Sequence, residues 1–234
     1  MAPVLDARSV RQAAARLSDA PAEAILQWAV EAFPGRTAVS VSFGGAGGIA
    51  LAHILSGLDR SVPVLFIDTE FLFPETHAFK DELVTRYGLT VRTLRPTRDV
   101  GPLYATDPDA CCQARRVDPF DDALGDYDAW ASALRRDQSP TRATTDVVEY
   151  HEREGRAVVK VHPIAHWSRD EVARYLREHE VPSHPLLDRG YTSIGCWPCT
   201  APNANAADER AGRWPGRAKT ECGLHTFTVR SVAP

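Results

Sequence analysis

The sequence has no long hydrophobic segment, few cysteines and no excess of positive charge. In its 234 residues, no apolar run approaches the roughly 20 residues that a membrane-spanning helix needs. The formal net charge of -4 gives no general attraction to nucleic acids or anionic lipids, so neither is expected as a partner. Residues 1–8 contain no apolar segment typical of a secretory signal, and we therefore expect a cytoplasmic protein.

Internal repeats and low-complexity segments are also lacking, and the composition is that of an ordinary globular chain. Strand patterns and helix patterns alternate from residue 37 onward. We predict helices over 49–58, 74–87 and 169–179, and strands over 37–43, 62–68, 90–94, 129–134, 147–150 and 157–161, with a turn at Glu154–Gly155. Strand, crossover helix and strand in this order indicate right-handed parallel units. The expected class is therefore α/β, Rossmann-like, with a mostly parallel sheet flanked by helices.

Three regions differ in pattern. Residues 1–36 have helical spacing and predict two helices, and residues 37–200 carry the α/β alternation. Residues 201–234 continue a stretch that is rich in Pro, Gly and Asn from Pro182 onward and weak in periodicity. We therefore predict an irregular C-terminal tail. The oligomeric state stays open, a homo-oligomer included.

The five cysteines fall into a vicinal pair, a Cys-x-x-Cys pair and one separate residue. Cys111-Cys112 with Cys196 and Cys199 provides four thiolates, a set that suits an iron-sulfur cluster or a structural zinc ion. Adjacent cysteines form a poor zinc knuckle, which favours the cluster. A rival interpretation is that Cys196-Trp197-Pro198-Cys199 is a dithiol redox motif, although such motifs normally occur early in a thioredoxin fold.

The fifth cysteine, Cys222, has charged neighbours. Lone cysteines are usually inert, but Lys219 and His225 lie close in sequence and could lower the pKa of this thiol. Several arginines also lie near cysteines or loops, and together they could hold a phosphate or sulfate ester, although each alone is typical of a solvated surface. These arginines are Arg115, Arg116, Arg142, Arg210 and Arg213.

Two candidate nucleotide contacts follow predicted strands. The segment Ser42-Phe43-Gly44-Gly45 opens a glycine-rich turn between a strand and a helix, where free backbone amides can bind an anion. It lacks Gly-x-Gly-x-x-Gly and a P-loop lysine, so a simple tight turn is as good an explanation. Asp68-Thr69 ends the next strand, where the Asp could bind a ribose hydroxyl or cap a turn.

Six motifs in order resemble the assimilatory sulfonucleotide reductases, in particular the iron-sulfur adenosine 5'-phosphosulfate reductases. The similarity extends from about Val39 to His225. The motifs are Ser42–Gly45, Ile67–Thr69 with Leu72–Thr76, Cys111–Arg116, Leu134–Pro140, Ser193–Thr200 and Glu221–His225.

This resemblance implies an adenine nucleotide α-hydrolase-like fold and a [4Fe-4S] cluster held by Cys111, Cys112, Cys196 and Cys199. It implies that Cys222 attacks the sulfur of the phosphosulfate, that AMP leaves, and that reduced thioredoxin or a glutaredoxin-like donor releases sulfite from S-sulfocysteine. The resemblance assigns substrate binding to Ser42, Phe43, Gly44, Gly45, Asp68, Thr69, Arg115, Arg116, Arg142, Arg210, Arg213 and His225. The four cluster cysteines favour adenosine 5'-phosphosulfate over its 3'-phosphorylated form as substrate.

Three features depart from the family pattern. Arg116 replaces a lysine, Glu70-Phe71 replaces a Gly-containing pair after Asp68-Thr69, and the segment from Arg213 to Cys222 is short. The rival enzyme class in the same superfamily cleaves ATP, but its loop needs Asp-Ser where this chain has Gly47-Gly48. A non-catalytic metal-binding module would explain four cysteines and leave Cys222 without a role.

Overall fold

The computed structural model describes residues 6–153, 156–203 and 208–225, so the predicted turn Glu154–Gly155 lies outside the described residues. The α-helices are α1 (Ala7–Leu17), α2 (Ala22–Ala32), α3 (Ala46–Leu58), α4 (Pro74–Tyr87), α5 (Pro108–Cys112), α6 (Asp118–Leu124) and α7 (Arg169–Glu178). The strands are β1 (Thr37–Ser40), β2 (Val64–Ile67), β3 (Val91–Leu94), β4 (Ala129–Ser132), β5 (Val148–Arg153) and β6 (Arg156–Val161).

The strands form one sheet in the order β3-β2-β1-β4-β6-β5. All neighbours are parallel except β5 and β6, which are consecutive and pair antiparallel. This confirms the predicted mostly parallel α/β sheet. From β1 the chain first builds outward through β2 and β3, and it then places β4 on the other side of β1. Such a reversal leaves a crevice at the carboxyl ends of the two central strands, where α/β proteins bind ligands.

The central strands are buried on both faces because helices cover the sheet. Strands β2 and β4 are buried along their whole length, which explains their continuous apolar sequences. Helices α1, α2, α3 and α7 contribute to the core cluster on one face, while α6 packs with Trp130 on the other. Because α1 and α2 share this core, the division into 1–36, 37–200 and 201–234 stays a prediction. None of the described helices is long and apolar enough to cross a membrane.

One helix boundary differs from prediction and affects the site. Helix α3 begins at Ala46 rather than Ile49, so its first turn is formed by the glycine-rich segment itself. Helix α5 starts at Pro108, and the vicinal cysteines are its last two residues. A π-helical turn, Gln113–Val117, then joins α5 to α6 and carries Arg115 and Arg116.

Candidate active site

An open cleft lies at the carboxyl ends of β1, β2 and β4, as the strand order predicts. It extends from the glycine-rich turn to the C-terminal tail. Eight of the predicted site residues line it, namely Ser42, Gly45, Arg116, Arg142, Arg210, Arg213, Cys222 and His225. Chain segments far apart in sequence therefore meet around one space.

The glycine-rich turn divides its tasks between residues. Gly45 precedes α3 without a side-chain cap, so the first amides of the helix remain available to an anion in the cleft. Phe43 instead points into the core, fully buried against Phe66 at 5.7 Å between ring centroids. Gly44 lies against the backbone of Ile194, where an added Cβ would come within 2.5 Å of the carbonyl oxygen. Phe43 and Gly44 thus shape the turn and do not line the cleft.

Asp68 and Thr69 also serve the loop rather than the cleft. The Asp68 carboxylate accepts hydrogen bonds from the backbone N–H of Glu70 at 3.0 Å and from Arg95 Nε at 3.1 Å. Thr69 Oγ1 contacts Cys196 Sγ at 3.1 Å. This loop therefore connects the end of β2 to the cysteine motif.

Four cysteines converge on a second cavity, which we call the cysteine cavity. Cys111, Cys112, Cys196 and Cys199 line it together with aromatic side chains and Cys222. Burial, followed by repulsion from neighbouring thiolates, raises the pKa of Cys111, Cys112 and Cys199, and that of Cys112 reaches about 12. Among the described residues, no group of His, Cys, Asp and Glu side chains is arranged to hold a metal ion.

Backbone pairing brings the late cysteines to this cavity. The N–H of Trp197 donates to the carbonyl of Phe71 at 2.8 Å, and Leu72 forms a bridge with Cys196. The N–H of Trp214 donates to the carbonyl of Cys199 at 2.9 Å, so the tail is attached to the same loop. The Cys-x-x-Cys segment is consequently fixed between the β2 loop and the tail.

Arg115 and Arg116 are adjacent in sequence but have different partners. Arg115 pairs with Glu70 and Asp99, donates to backbone carbonyls and lies over the Phe71 ring at 4.4 Å. It lines the cysteine cavity and not the cleft. Arg116 lines both cavities, and its buried Nε has no hydrogen-bond partner among the described residues. Burial alone would lower its pKa, but Cys222 and Cys196 outweigh burial and raise it.

Arg213 is the second cation near Cys222, and it is half-buried. An added Cβ on Gly195 would lie 2.4 Å from Arg213 Nη2, so the guanidinium fits only because residue 195 is glycine. The group also lies over the Trp214 ring at 4.5 Å. Burial, followed by repulsion from Arg116 and Arg210, lowers its pKa to about 10, which still leaves it charged at neutral pH.

The Cys222 thiol lines both the cleft and the cysteine cavity. Burial raises its pKa, but Arg116, the backbone N–H of Leu224 and Arg213 together lower it further than burial raises it. The net direction is downward, which increases the thiolate fraction. A half-buried thiolate beside two guanidinium groups is the arrangement expected of a reactive nucleophile.

Two more arginines hold the residue next to the thiol. Arg142 donates from Nε and Nη2 to the Glu221 carboxylate at 3.1 and 2.8 Å, and Arg210 Nη2 reaches the same carboxylate at 3.4 Å. Bidentate pairs of this kind fix orientation as well as charge. Glu221 was not predicted to have a role, although it is part of the Glu221–His225 motif.

His225 closes the cleft over the sheet. Its ring stacks on Trp130 with 5.3 Å between centroids and 9° between planes. Burial, followed by the positive field of Arg142, holds the pKa of His225 well below its usual range, so the ring is neutral. The sequence also gave no role to Ser40, Ser132 and Gln138, which line the cleft. The Leu134–Pro140 motif was a signal for Gln138, but nothing marked the two serines.

Sequence comparison identifies the family. Residues 36–202 match the phosphoadenosine phosphosulfate reductase domain, and the chain belongs to this family of sulfonucleotide reductases. A relative from Streptomyces coelicolor, named adenosine 5'-phosphosulfate reductase, is 45% identical over 92% of this chain and 92% of its own length. A relative from Gloeobacter violaceus, named phosphoadenosine 5'-phosphosulfate reductase, is 39% identical over 94% of this chain and 95% of its own length.

Solved structures agree on the fold. The phosphoadenylyl-sulfate reductase of Candida auris, in a phosphate complex, has a TM-score of 0.72 at 26% identity and covers 84% of this chain and 98% of its own. The FMN adenylyltransferase of Candida glabrata has a TM-score of 0.60 at 18% identity and covers 86% of this chain and 69% of its own. The predicted adenine nucleotide α-hydrolase-like fold is confirmed.

Proposed function

We propose that this protein reduces adenosine 5'-phosphosulfate to sulfite and AMP, with Cys222 as the nucleophile. The observation that carries this proposal is the position of the Cys222 thiol, at one end of the cleft and beside the guanidinium groups of Arg116 and Arg213. A nucleotide that enters along the glycine-rich turn would meet these cations with its phosphosulfate.

In the first step, the Cys222 thiolate attacks the sulfur of the phosphosulfate. The new S–S bond replaces the bond between that sulfur and the bridging oxygen, and AMP leaves with the electron pair. S-sulfocysteine remains on Cys222. Because AMP is a good leaving group, the protein has to position the thiolate and neutralise oxyanion charge.

In the second step, a thiolate of reduced thioredoxin, or of a glutaredoxin-like donor, attacks the Cys222 sulfur. Sulfite leaves with the electrons of the S–S bond, and a mixed disulfide forms. The second thiol of the donor then releases Cys222 and leaves the donor as a disulfide. The sulfur is reduced by two electrons, which the dithiol supplies. A dithiol donor of this kind fits a cytoplasmic location.

The arginines divide the anionic charge. Arg116 and Arg213 lie next to the thiol and are proposed to bind the sulfate oxygens. Arg142 and Arg210 hold Glu221 in the described structure. We assign them, with His225, to the phosphate side of the substrate, where a phosphate would compete with the Glu221 carboxylate for the same donors.

We further propose that Cys111, Cys112, Cys196 and Cys199 hold a [4Fe-4S] cluster. Four thiolates are a complete ligand set for such a cluster, and all four side chains line one cavity. A cationic iron centre would stabilise the thiolates that burial disfavours there. When bound, the cluster supplies a compact charged iron-sulfur centre, and the thiol steps above do not require electrons from it.

The 3'-phosphorylated nucleotide is the second candidate substrate, because the Gloeobacter relative is named for it. Assays of both sulfonucleotides with one thioredoxin preparation separate the two, and we expect the higher kcat/KM for adenosine 5'-phosphosulfate. A homo-oligomer is an open part of the proposal that light scattering tests.

The decisive experiment is Cys222→Ser. We expect this variant to lose sulfite formation while the purified protein keeps a brown colour with broad absorption at about 400 nm. Cys111→Ser is the complementary variant, and it should lose the colour. Full activity of Cys222→Ser would refute the nucleophile, and a colourless wild-type protein with stoichiometric zinc would refute the cluster.

A further inference from the structure

Two serines face the cleft at the point where the strand order reverses. Ser40 ends β1 and Ser132 ends β4, and the two residues are direct partners in the parallel pairing of these strands. Both line the cleft. The two residues therefore form part of the floor of the cleft.

Ser132 is the first member of a buried polar chain. Its Oγ lies 3.0 Å from Nδ1 of His162, the residue that follows β6. Both side chains are almost inaccessible, with 2% and 1% relative exposure. The direction of this hydrogen bond depends on which nitrogen of His162 carries the proton.

Glu149 determines that direction. Its Oε2 lies 3.6 Å from His162 Nε2 and 2.9 Å from His151 Nε2. An ionised carboxylate can only accept, so His151 donates to it from Nε2 at 2.9 Å. For His162, whose Nε2 faces the same carboxylate at 3.6 Å, the electrostatically favoured tautomer is the one that carries its proton on Nε2. Burial lowers the pKa of His162, so the ring is neutral. Its Nδ1 then has only a lone pair, and Ser132 must donate its hydroxyl hydrogen to it.

The two serines consequently present opposite polarity to the cleft. The Ser132 hydroxyl donates its hydrogen to His162, so it can only accept a hydrogen bond from a ligand. Ser40 Oγ already accepts from Trp130 Nε1 at 2.7 Å, so its own hydrogen remains free to donate. Identical side chains on paired residues thus become a fixed acceptor and a donor.

We propose that Ser132 accepts a hydrogen bond from a ribose hydroxyl of the nucleotide, and that His162 and Glu149 are positioning residues that keep Ser132 in this acceptor state. This assignment rests on the proposed function. The ribose is attached to the phosphate that Arg142 is assigned to hold, and Ser132 and Arg142 line the same cleft. The hydroxyls are the donors of the nucleotide nearest to that phosphate.

Calorimetric binding of AMP, 2'-deoxy-AMP and 3'-deoxy-AMP to the complete protein tests this inference. In the wild type, removing the hydroxyl that Ser132 reads should weaken binding by about tenfold, as expected for one buried hydrogen bond. Ser132→Ala should bind AMP about tenfold more weakly and lose the difference between AMP and the deoxy analogue. Ser132→Thr, which keeps the hydroxyl, should restore the difference.

Two further variants separate positioning from structure. In Glu149→Gln, the side chain at position 149 no longer requires a proton on His162 Nε2. The difference in affinity between AMP and the deoxy analogue should therefore become smaller, although Ser132 is still present. Circular dichroism and melting temperature establish that this variant is folded. Ser18→Ala is the matched control, because its hydroxyl contacts the carbonyl oxygen of Ala15 at 3.3 Å at the exposed end of α1. This control should bind all three nucleotides like the wild type.

The outcomes are distinguishable. If the wild type and Ser132→Ala lost the same factor in affinity between AMP and the deoxy analogues, the role of Ser132 would be refuted and the proposed function would stand. Purine riboside monophosphate lacks the amino group of AMP. Weaker binding of this nucleotide, together with unchanged binding of both deoxy analogues, would also refute the role of Ser132. No AMP binding by the wild type would overturn the proposed function, and the assignment with it.

Discussion

At the scale of single residues, the chemistry depends on which neighbours a thiol has. Cys112 and Cys222 line the same cavity, yet burial raises the pKa of Cys112 to about 12, whereas Cys222 has a lowered pKa. Arg116 and Arg213 contribute to this lowering through their positive charge. Arg116 acts on both thiols, so the balance between burial and nearby cations distinguishes the proposed nucleophile from Cys112.

Replacing Arg116 tests this electrostatic argument. Arg116→Met removes the charge and should raise the pKa of Cys222, so that alkylation by iodoacetamide at neutral pH slows by about tenfold or more. Arg116→Lys keeps a positive charge and should stay closer to the wild-type rate. Rates from a Cys222→Ser sample are subtracted to isolate the Cys222 signal. An unchanged rate in Arg116→Met would show that this cation does not act on the thiol.

At the scale of elements, close backbone approaches hold the cleft together. Gly44 lies against Ile194, and Gly195 lies against the guanidinium of Arg213. The turn before α3, the Cys-x-x-Cys segment and the tail therefore touch at glycines that leave no room for a side chain. These elements have little regular structure, and their positions are fixed by such contacts and by backbone hydrogen bonds between loops.

Gly195→Ala is expected to impair catalysis more than stability. The added methyl group would meet the end of the Arg213 side chain, which can move, so the fold should persist while the cation is displaced from the cleft. We expect turnover to fall by about tenfold or more and the melting temperature to change by a few degrees.

Gly57→Ala is the matched control. An added Cβ at this position in α3 meets no atom within 4 Å. This variant should keep full activity and gain up to about 1 kcal/mol in the free energy of unfolding, because alanine favours a helix. Wild-type turnover in Gly195→Ala would show that the contact with Arg213 does not matter.

At the scale of the whole molecule, several buried or half-buried histidines are in the neutral form. Burial lowers the pKa of His53, His162, His184 and His225, and that of His184 falls to about 4. His184 Nδ1 accepts from the N–H of Leu186 at 3.2 Å, so its other nitrogen, Nε2, donates to Thr76 Oγ1 at 3.0 Å. Protonation would break the first of these bonds.

Stability should therefore fall on acidification. Below the usual histidine pKa of 6.5 the unfolded chain takes up protons that the folded chain refuses, so unfolding becomes more favourable as the pH falls toward about 4. Urea unfolding across this range measures the slope. His184→Gln should be less stable near neutral pH but show a weaker pH dependence. If the free energy of unfolding changed equally with pH in both proteins, His184 would not contribute to the pH dependence.

The sequence by itself determined the alternation of strands and helices, the mostly parallel sheet and the cysteine sets. These features follow from local periodicity and spacing, which one segment of chain can specify alone. The order of the motifs likewise identified the family. The separation of Cys222 from the four other cysteines was visible from spacing, and its role as nucleophile remains a prediction for experiment.

Only the tertiary structure decided where the side chains point. Arg115 and Arg116 are neighbours in sequence, yet one is taken up by Glu70 and Asp99 and the other lines the cleft. Phe43 lies in the core although its motif suggested a ligand contact. Ser132, His162 and Glu149 come from three different parts of the sheet, so no local pattern links them. Contacts of this kind depend on strand register and packing, which are set by the whole chain.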